Sequence, residues 1–197
     1  MKSLYNIFLF LGDHKKNWSP FLRDNVKGFL NDRIYFYPKK VLQQLNYILN
    51  LLYVAVVKYN SVIWLVDNTL TYKKLINTHN KDLLSLNVFY ITESLPKGFL
   101  TNSQCLNYKK FKKPAIVIFT NFKSSDKSLL RDVKNLGVIT IGFSNNFVKN
   151  LDYIIYSRNK EFFLLVLAFL LSIKNSKSLK KDVLSLKNYF ENEKIKT

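Results

Sequence analysis

The sequence is poor in the residues that most often carry chemistry. It holds one cysteine, Cys105, which excludes a disulfide framework and any cysteine-based zinc site. Cys105 has no histidine near it in sequence and reads as a small buried residue rather than a nucleophile. The two histidines, His14 and His79, lack ligand-type spacing to another histidine, cysteine or acid. Both stand in polar surroundings and are expected at the surface. The five glycines, Gly12, Gly28, Gly98, Gly137 and Gly142, cannot be assembled into G-x-G-x-x-G or G-x4-G-K-[ST], so a glycine-rich phosphate cradle is excluded. Acidic residues number 13. Asp67 ends a strand pattern and is the candidate catalytic carboxylate. The strand ends at Thr120-Asn121 and Ser144-Asn145 bring hydroxyls and amides where acid–base or two-metal chemistry needs a second carboxylate. No catalytic residue, metal, cofactor or small-molecule substrate is expected. Long hydrophobic runs are also missing. Phe162–Leu171, ten residues, is the longest. A membrane span needs about 20, so this run is expected to be a buried helix. The opening MKSLYNIFLFLG resembles a short signal core, but no small-residue cleavage site follows it.

What the chain does have is positive charge and apolar bulk. Lysine and arginine total 31, giving a formal net charge of +18 over 197 residues, while 48% of the residues are hydrophobic. A chain of this length and composition buries a core of its own, so the charge is not a sign of disorder. The excess calls for a polyanionic partner, nucleic acid first and an acidic membrane surface second. Phe, Tyr, Ile, Asn and Lys together make 91 residues, whereas alanine occurs three times and arginine four. That skew follows A/T-rich codons and points to an A/T-rich genome such as an organelle's.

The apolar pattern predicts alternating helices and fully apolar strands. Val41, Leu45, Ile48 and Leu52 recur at helical spacing, which predicts a helix over 40–58. Short β-favouring runs follow at Val62–Val66, Val88–Ile91, Ala115–Phe119, Val138–Phe143 and Tyr153–Tyr156. Between them lie a polar helical stretch over Thr69–Asn80 and a short helix over Ser128–Leu136 that Gly137 should cap. A strongly apolar helix is expected over 160–173. This alternation predicts an α/β fold, a Rossmann-like or flavodoxin-like parallel sheet of about five strands with helices on both faces. Residues 1–40 are basic, aromatic and broken by Pro20 and Pro38, and read as an irregular segment. Two units are expected: an α/β domain over 1–173, and a basic amphipathic extension over 174–197. In the extension, Leu179, Val183, Leu186 and Phe190 fall on one side of a helix. So narrow a stripe needs a surface to lie on, and a partner protein is the expected one.

The remaining signals are cations interleaved with aromatics. Lys15, Lys16, Trp18 and Arg23 share one segment, and Lys109-Lys110-Phe111-Lys112-Lys113 abuts Pro114 and a core strand. Lysines suit phosphates as point charges, and an aromatic face can stack on a base. With so little arginine, bidentate reading of base edges is not expected to dominate. Charge spread along the chain in this way fits structured RNA better than a short DNA site read by one helix.

The order of motifs then resembles a known family. Gly12-x5-Trp18-x-Pro20 is similar to the G-H-x-x-x-x-W-x-P opening of bacterial-type small-subunit ribosomal protein two. Asn25-Val26-Lys27-Gly28 resembles its Tyr-Ile-x-Gly, and Asn31 the asparagine of its Arg-Asn pair. The strand Val62–Val66 resembles its Ile-Leu-Phe-Val. The stretch from Leu95 through Lys97 and Gly98 to Asn102 resembles W-L-G-G-x-L-T-N, and Pro114–Phe119 its Pro-Asp strand. Asp132–Gly142 is similar to E-A-x-x-L-G-I-P-x-I-G, and Leu151–Ile155 to V-D-Y-P-I. The matches run in order over roughly residues 11–172. Departures are Asp13 for the family's histidine, Leu95 and Lys97 in W-L-G-G, and Asn121 for a strand-end aspartate. The family's long helical hairpin is missing or very short, since only Ser103–Lys113, eleven residues, occupies its place.

The resemblance implies a structural constituent of the small ribosomal subunit, binding small-subunit rRNA and neighbouring ribosomal proteins. With the A/T-rich bias it points to mitochondrial translation, inside the ribosome. The expected RNA contacts are Lys15, Lys16, Trp18, Arg23, Lys27, Lys97, Lys109, Lys110, Lys112 and Lys113. The expected partner contacts are Leu179, Val183, Leu186 and Phe190. Two other readings compete with it. One is a divergent α/β enzyme acting on a nucleotide or nucleic acid through Asp67. The other is a basic protein lying on an organelle membrane, with no membrane span.

Overall fold

The computed structural model describes residues 9–67, 72–92, 100, 112–122, 126–144, 147–157 and 161–175. Its centre is a five-stranded sheet, all parallel. The strands are β4 (Ile63–Val66), β5 (Val88–Ile91), β6 (Ile116–Phe119), β7 (Ile139–Ser144) and β8 (Tyr153–Tyr156), in the order β5-β4-β6-β7-β8. The fold is therefore α/β of the flavodoxin-like kind, because the strands run 2-1-3-4-5 in space.

The strands are apolar throughout because both faces are covered. Ile63, Leu65, Ile116, Ile118, Ile141, Phe143 and Ile155 point into one core. That core is shared with α1 (Pro38–Val57), with Ile76 and Leu83 of the short helices α2 (Lys73–Thr78) and α3 (Asn80–Ser85), and with helix α5 over residues 161–175. Trp64, Val66, Val117 and Phe119 point the other way, against Leu129, Leu130 and Val133 of α4 (Lys127–Asn135) and against Leu100. Pro38 sits in the first turn of α1, where its missing N–H costs nothing. Helix α4 ends in a Schellman turn: the Val138 N–H reaches the Val133 carbonyl and the Gly137 N–H the Lys134 carbonyl, both at 3.0 Å. Gly137 adopts φ +67°, which justifies glycine there.

Helix α1 is long and apolar enough to cross a membrane, with a mean hydropathy of 1.2. Its stripe Val41, Leu45, Ile48, Leu52, Ala55 and Val56 is buried in the core of the sheet. Helix α5 continues two residues past the expected unit boundary, and the Lys174 ammonium bonds the Asp82 carboxylate of α3. That contact, helped by His79 at 3.8 Å, holds the Asp82 carboxyl below the usual carboxylate range.

The irregular N-terminal segment expected from the sequence is instead a second sheet. Strands β1 (Leu11–His14), β2 (Val26–Leu30) and β3 (Arg33–Phe36) form an antiparallel sheet in the order β1-β3-β2. Asn31 and Asp32 have φ of 47° and 57° and form a two-residue turn between β2 and β3. Two successive positive φ values are what the twist of a tight hairpin demands, and asparagine and aspartate tolerate them best after glycine. Ile34 and Phe36 turn inward and join the larger core, with Phe36 stacked on Tyr156 at 5.3 Å and Phe10 against Phe162 at 5.8 Å. The Ser157 hydroxyl donates to the Leu9 carbonyl at 2.7 Å. These contacts seat the small sheet at the carboxyl ends of the parallel strands.

Candidate nucleic-acid interface

The small sheet carries the cation–aromatic combination that the sequence marked at Lys15, Lys16 and Trp18. After β1 the chain makes a 3-10 turn over Lys15–Asn17. Asp13 builds that turn, accepting from the His14 N–H and the Asn17 amide, both at 2.8 Å. Asp13 thus shapes the loop that presents Lys15 and Lys16. The Lys15 N–H donates to the Asp32 carbonyl at 2.8 Å, locking this turn to the β2–β3 hairpin. Between them His14, Lys15, Lys16, Asn17, Asn31 and Asp32 line an open cleft of about 870 Å³.

Aromatic rings stand beside the cleft. Trp18 is 39% exposed and Phe29 45%, and their rings meet edge-on at 6.5 Å. The Lys15 ammonium lies 5.1 Å from the centre of the Phe29 ring, and the Lys27 ammonium 5.8 Å from that of Tyr35. Phe21 is 72% exposed and stacks on Phe147, from the loop after β7, at 5.0 Å. Arg23 is exposed on the second 3-10 helix, Pro20–Asn25. Phe29, Tyr35, Phe21 and Phe147 were not among the expected contacts. The signal that could have found Phe29 and Tyr35 is Asn31-Asp32 between two apolar runs, a hairpin mark.

Lys112 and Lys113 are exposed and lead into the amino end of β6. The small sheet sits at the carboxyl ends, so the two basic groups occupy opposite ends of the parallel sheet rather than one patch. The buried Trp64 indole donates to the Lys112 carbonyl at 3.1 Å, which fixes where that run begins its approach to the core. Lys97, Lys109 and Lys110, and the partner residues Leu179, Val183, Leu186 and Phe190, lie outside the described residues, as does Cys105.

The carboxyl ends of β4 and β6 flank the point where strand order reverses, the usual ligand crevice of such sheets. Asp67 stands there, 1% exposed. It accepts from the Tyr72 N–H at 3.0 Å and from the Tyr90 hydroxyl at 2.9 Å. Burial first, and the Asp67 carboxylate second, push both phenols well above their ordinary range. Asp67 thus knits β4, β5 and the start of α2 together. Asp152 plays a comparable part elsewhere, accepting from the Thr140 N–H at 2.8 Å and hydroxyl at 2.7 Å and pairing with Lys134. Partial burial raises its carboxyl, but these bonds outweigh it and hold it below the usual range. Gly142 has a packing role, since a Cβ there would lie 2.4 Å from the Leu151 side chain. Among the described residues no group of three His, Cys, Asp or Glu could hold a metal ion. No protein-family model matches the chain, and no curated protein matches it, so the ribosomal resemblance rests on the ordered motifs in the sequence.

Proposed function

We propose that this protein is a structural constituent of the small ribosomal subunit, most naturally a mitochondrial one, that binds small-subunit rRNA and neighbouring ribosomal proteins without a catalytic step. The observation that carries the reading is the cluster on the small sheet: Lys15, Lys16 and Lys27 stand among exposed Trp18 and Phe29 and half-buried Tyr35 on a chain of net charge +18. Cations beside aromatic faces serve a phosphate backbone and its bases together. The order of family motifs over residues 11–172 supplies the ribosomal part of the reading. Lys112 and Lys113, at the other end of the sheet, give a second point of phosphate contact and suit a protein wedged between RNA segments. Rate-zonal sedimentation of an organelle lysate tests it. Cosedimentation with small subunits, retained without detergent and lost on RNase treatment, is the expected result. Sedimentation as a free protein, or with membranes, would exclude it.

The enzyme reading centres on Asp67 and is disfavoured by that residue's surroundings. A buried carboxylate whose oxygen already accepts from a backbone N–H and a tyrosine hydroxyl is poorly placed to take a substrate proton. A purified chain with metal-dependent nuclease or nucleotide-hydrolysing activity, abolished by Asp67→Ala, would restore it.

A further inference from the structure

We infer that the N-terminal sheet holds an unpaired nucleotide of its RNA, with the base stacked on Trp18 and the phosphates on Lys15 and Lys16. This rests on the RNA-binding reading above and goes past it, because charge alone would serve a duplex equally well. Bases inside an A-form helix are stacked on one another and cannot reach a protein ring, so exposed aromatics select splayed-out nucleotides. The geometry separates the rings by use. The Lys15 ammonium lies over Phe29, and Phe29 braces Trp18 edge-on, which fixes the indole without stacking on it. The Phe21 ring, stacked on Phe147 and largely exposed, offers a second base a place to extend that stack.

The cleft beside these rings fits the rest of a nucleotide. Its volume of about 870 Å³ falls within the range of roughly 300–1,000 Å³ common for small-ligand sites. Its lining is mixed. Lys15 and Lys16 provide charge for phosphate, while Asn17, Asn31 and Asp32 provide donors and acceptors for a sugar or a base edge. The two positive φ residues place Asn31 and Asp32 at the hairpin tip, and the Lys15 N–H bond to the Asp32 carbonyl holds that tip against the lysine turn. The site is thus assembled before RNA arrives, which lowers the ordering cost of binding.

The two tryptophans make a direct test possible, since Trp18 is exposed and Trp64 is 0% exposed. Full-length protein is titrated at low salt with a single-stranded RNA of mixed sequence, with a perfect RNA duplex of equal charge, and with polyglutamate. Tryptophan emission and affinity are both read. The single strand should quench the emission and bind more tightly than the duplex, and Trp18→Phe should remove most of the quenching. Trp18→Ala should weaken single-strand binding by about 5- to 150-fold and duplex binding by less than about twofold. Phe21→Ala should act in the same direction, and a melting curve confirms that each variant is folded. Equal affinity for strand and duplex, with Trp18→Ala without effect, would overturn the stacking proposal and leave RNA binding intact. Equal quenching by polyglutamate would also overturn it, marking a general polyanion surface. Failure to bind either RNA would remove both readings together.

Discussion

The two sheets use the same kinds of residue to opposite ends. In the parallel sheet, Trp64 is fully buried, its ring packed against the core under α4 and its N–H tied to the Lys112 carbonyl. In the antiparallel sheet region, Trp18 stands at the surface beside Phe29 and two lysines. β4 and β6 are buried at every residue, whereas β2 is exposed or half-exposed along its length. A covered sheet turns aromatic area into stability, about 1.5–3 kcal/mol for each fully buried large side chain. A sheet with one open face forgoes that gain and leaves rings where a ligand can use them. Aromatic residues therefore divide by the sheet face that carries them: Phe36, on the inward side of the small sheet, is as buried as Trp64, whereas Phe29, on its open side, is exposed.

Truncating each tryptophan in turn separates the roles of the two sheets. Trp64→Ala should cost about 3–5 kcal/mol in chemical denaturation, from lost burial and an unfilled cavity. Trp18→Ala should cost less than about 0.5 kcal/mol, as exposed positions usually do. Equal losses would mean that Trp18 is a structural anchor.

The charge at the two ends of the parallel sheet gives the next test. Replacing Lys15 and Lys16 by Ala should flatten the slope of log K against log salt for single-stranded RNA by about 1.4, near 0.7 for each lost phosphate contact. Replacing Lys112 and Lys113 by Ala should flatten it further, by up to about 1.4. If only the first change moves the slope, the amino end of the sheet is a solvated face and the interface is confined to the small sheet.

Asp152 gives a smaller effect confined to the parallel sheet. Its carboxyl is held below the usual range, so its contribution is complete above the unfolded-state value near pH 4 and fades as pH falls through the lower folded value. Asp152→Ala should cost roughly 1–2 kcal/mol at neutral pH, allowing for solvent screening of a partly exposed group. The difference from the parent should shrink below about pH 4, and RNA affinity should stay unchanged. A pH-independent difference would place the effect in packing rather than in the carboxylate. Smallest of all should be truncation after Asn175. If Leu179, Val183, Leu186 and Phe190 serve a neighbouring ribosomal protein, the domain should keep its melting temperature within about 2 °C. Incorporation into the subunit should weaken instead. A clear drop in melting temperature would assign that stripe to this domain.

The parallel sheet was legible because its strands are continuous apolar runs with helical periods between them. Val88–Ile91 and Tyr153–Tyr156 have the expected bounds, β4 and β6 each start one residue later, and β7 is shifted by one residue at both ends. Gly137 was legible as a cap for the same reason: a helical stripe stops there and an apolar run begins. The antiparallel sheet was not legible because period-two alternation fails in β1 and β2, and only the four residues of β3 keep it. Register shifts fall between Leu11 and His14 and between Val26 and Gly28, and exposed Phe29 and Leu30 follow one another on β2. Two 3-10 helices interrupt the chain between β1 and β2. Lys15, Lys16 and Trp18 could be named because cations and an aromatic share one short segment, and Lys27 through the family resemblance. Their ring partners Phe29 and Tyr35 could not, because pairing across a hairpin is invisible until the turn is recognised.

The seating of the small sheet has a consequence for how the chain folds. Its inward face is closed by elements made much later: Phe36 rests on Tyr156, Phe10 on Phe162, and the Leu9 carbonyl accepts from Ser157, 148 positions away. Contacts of such long sequence separation form late and slowly. During synthesis the first strands therefore wait, their inner surface uncovered, until β8 and α5 emerge and close over them. The cationic turn and its rings take their final places only at that moment. The prediction is that chains cut short before Tyr153 lack an ordered N-terminal sheet and bind RNA by loose charge alone. Amide exchange on a chain ended at Ser144 would show this as fast exchange throughout β1–β3, while protection there would mean that the small sheet forms early and on its own.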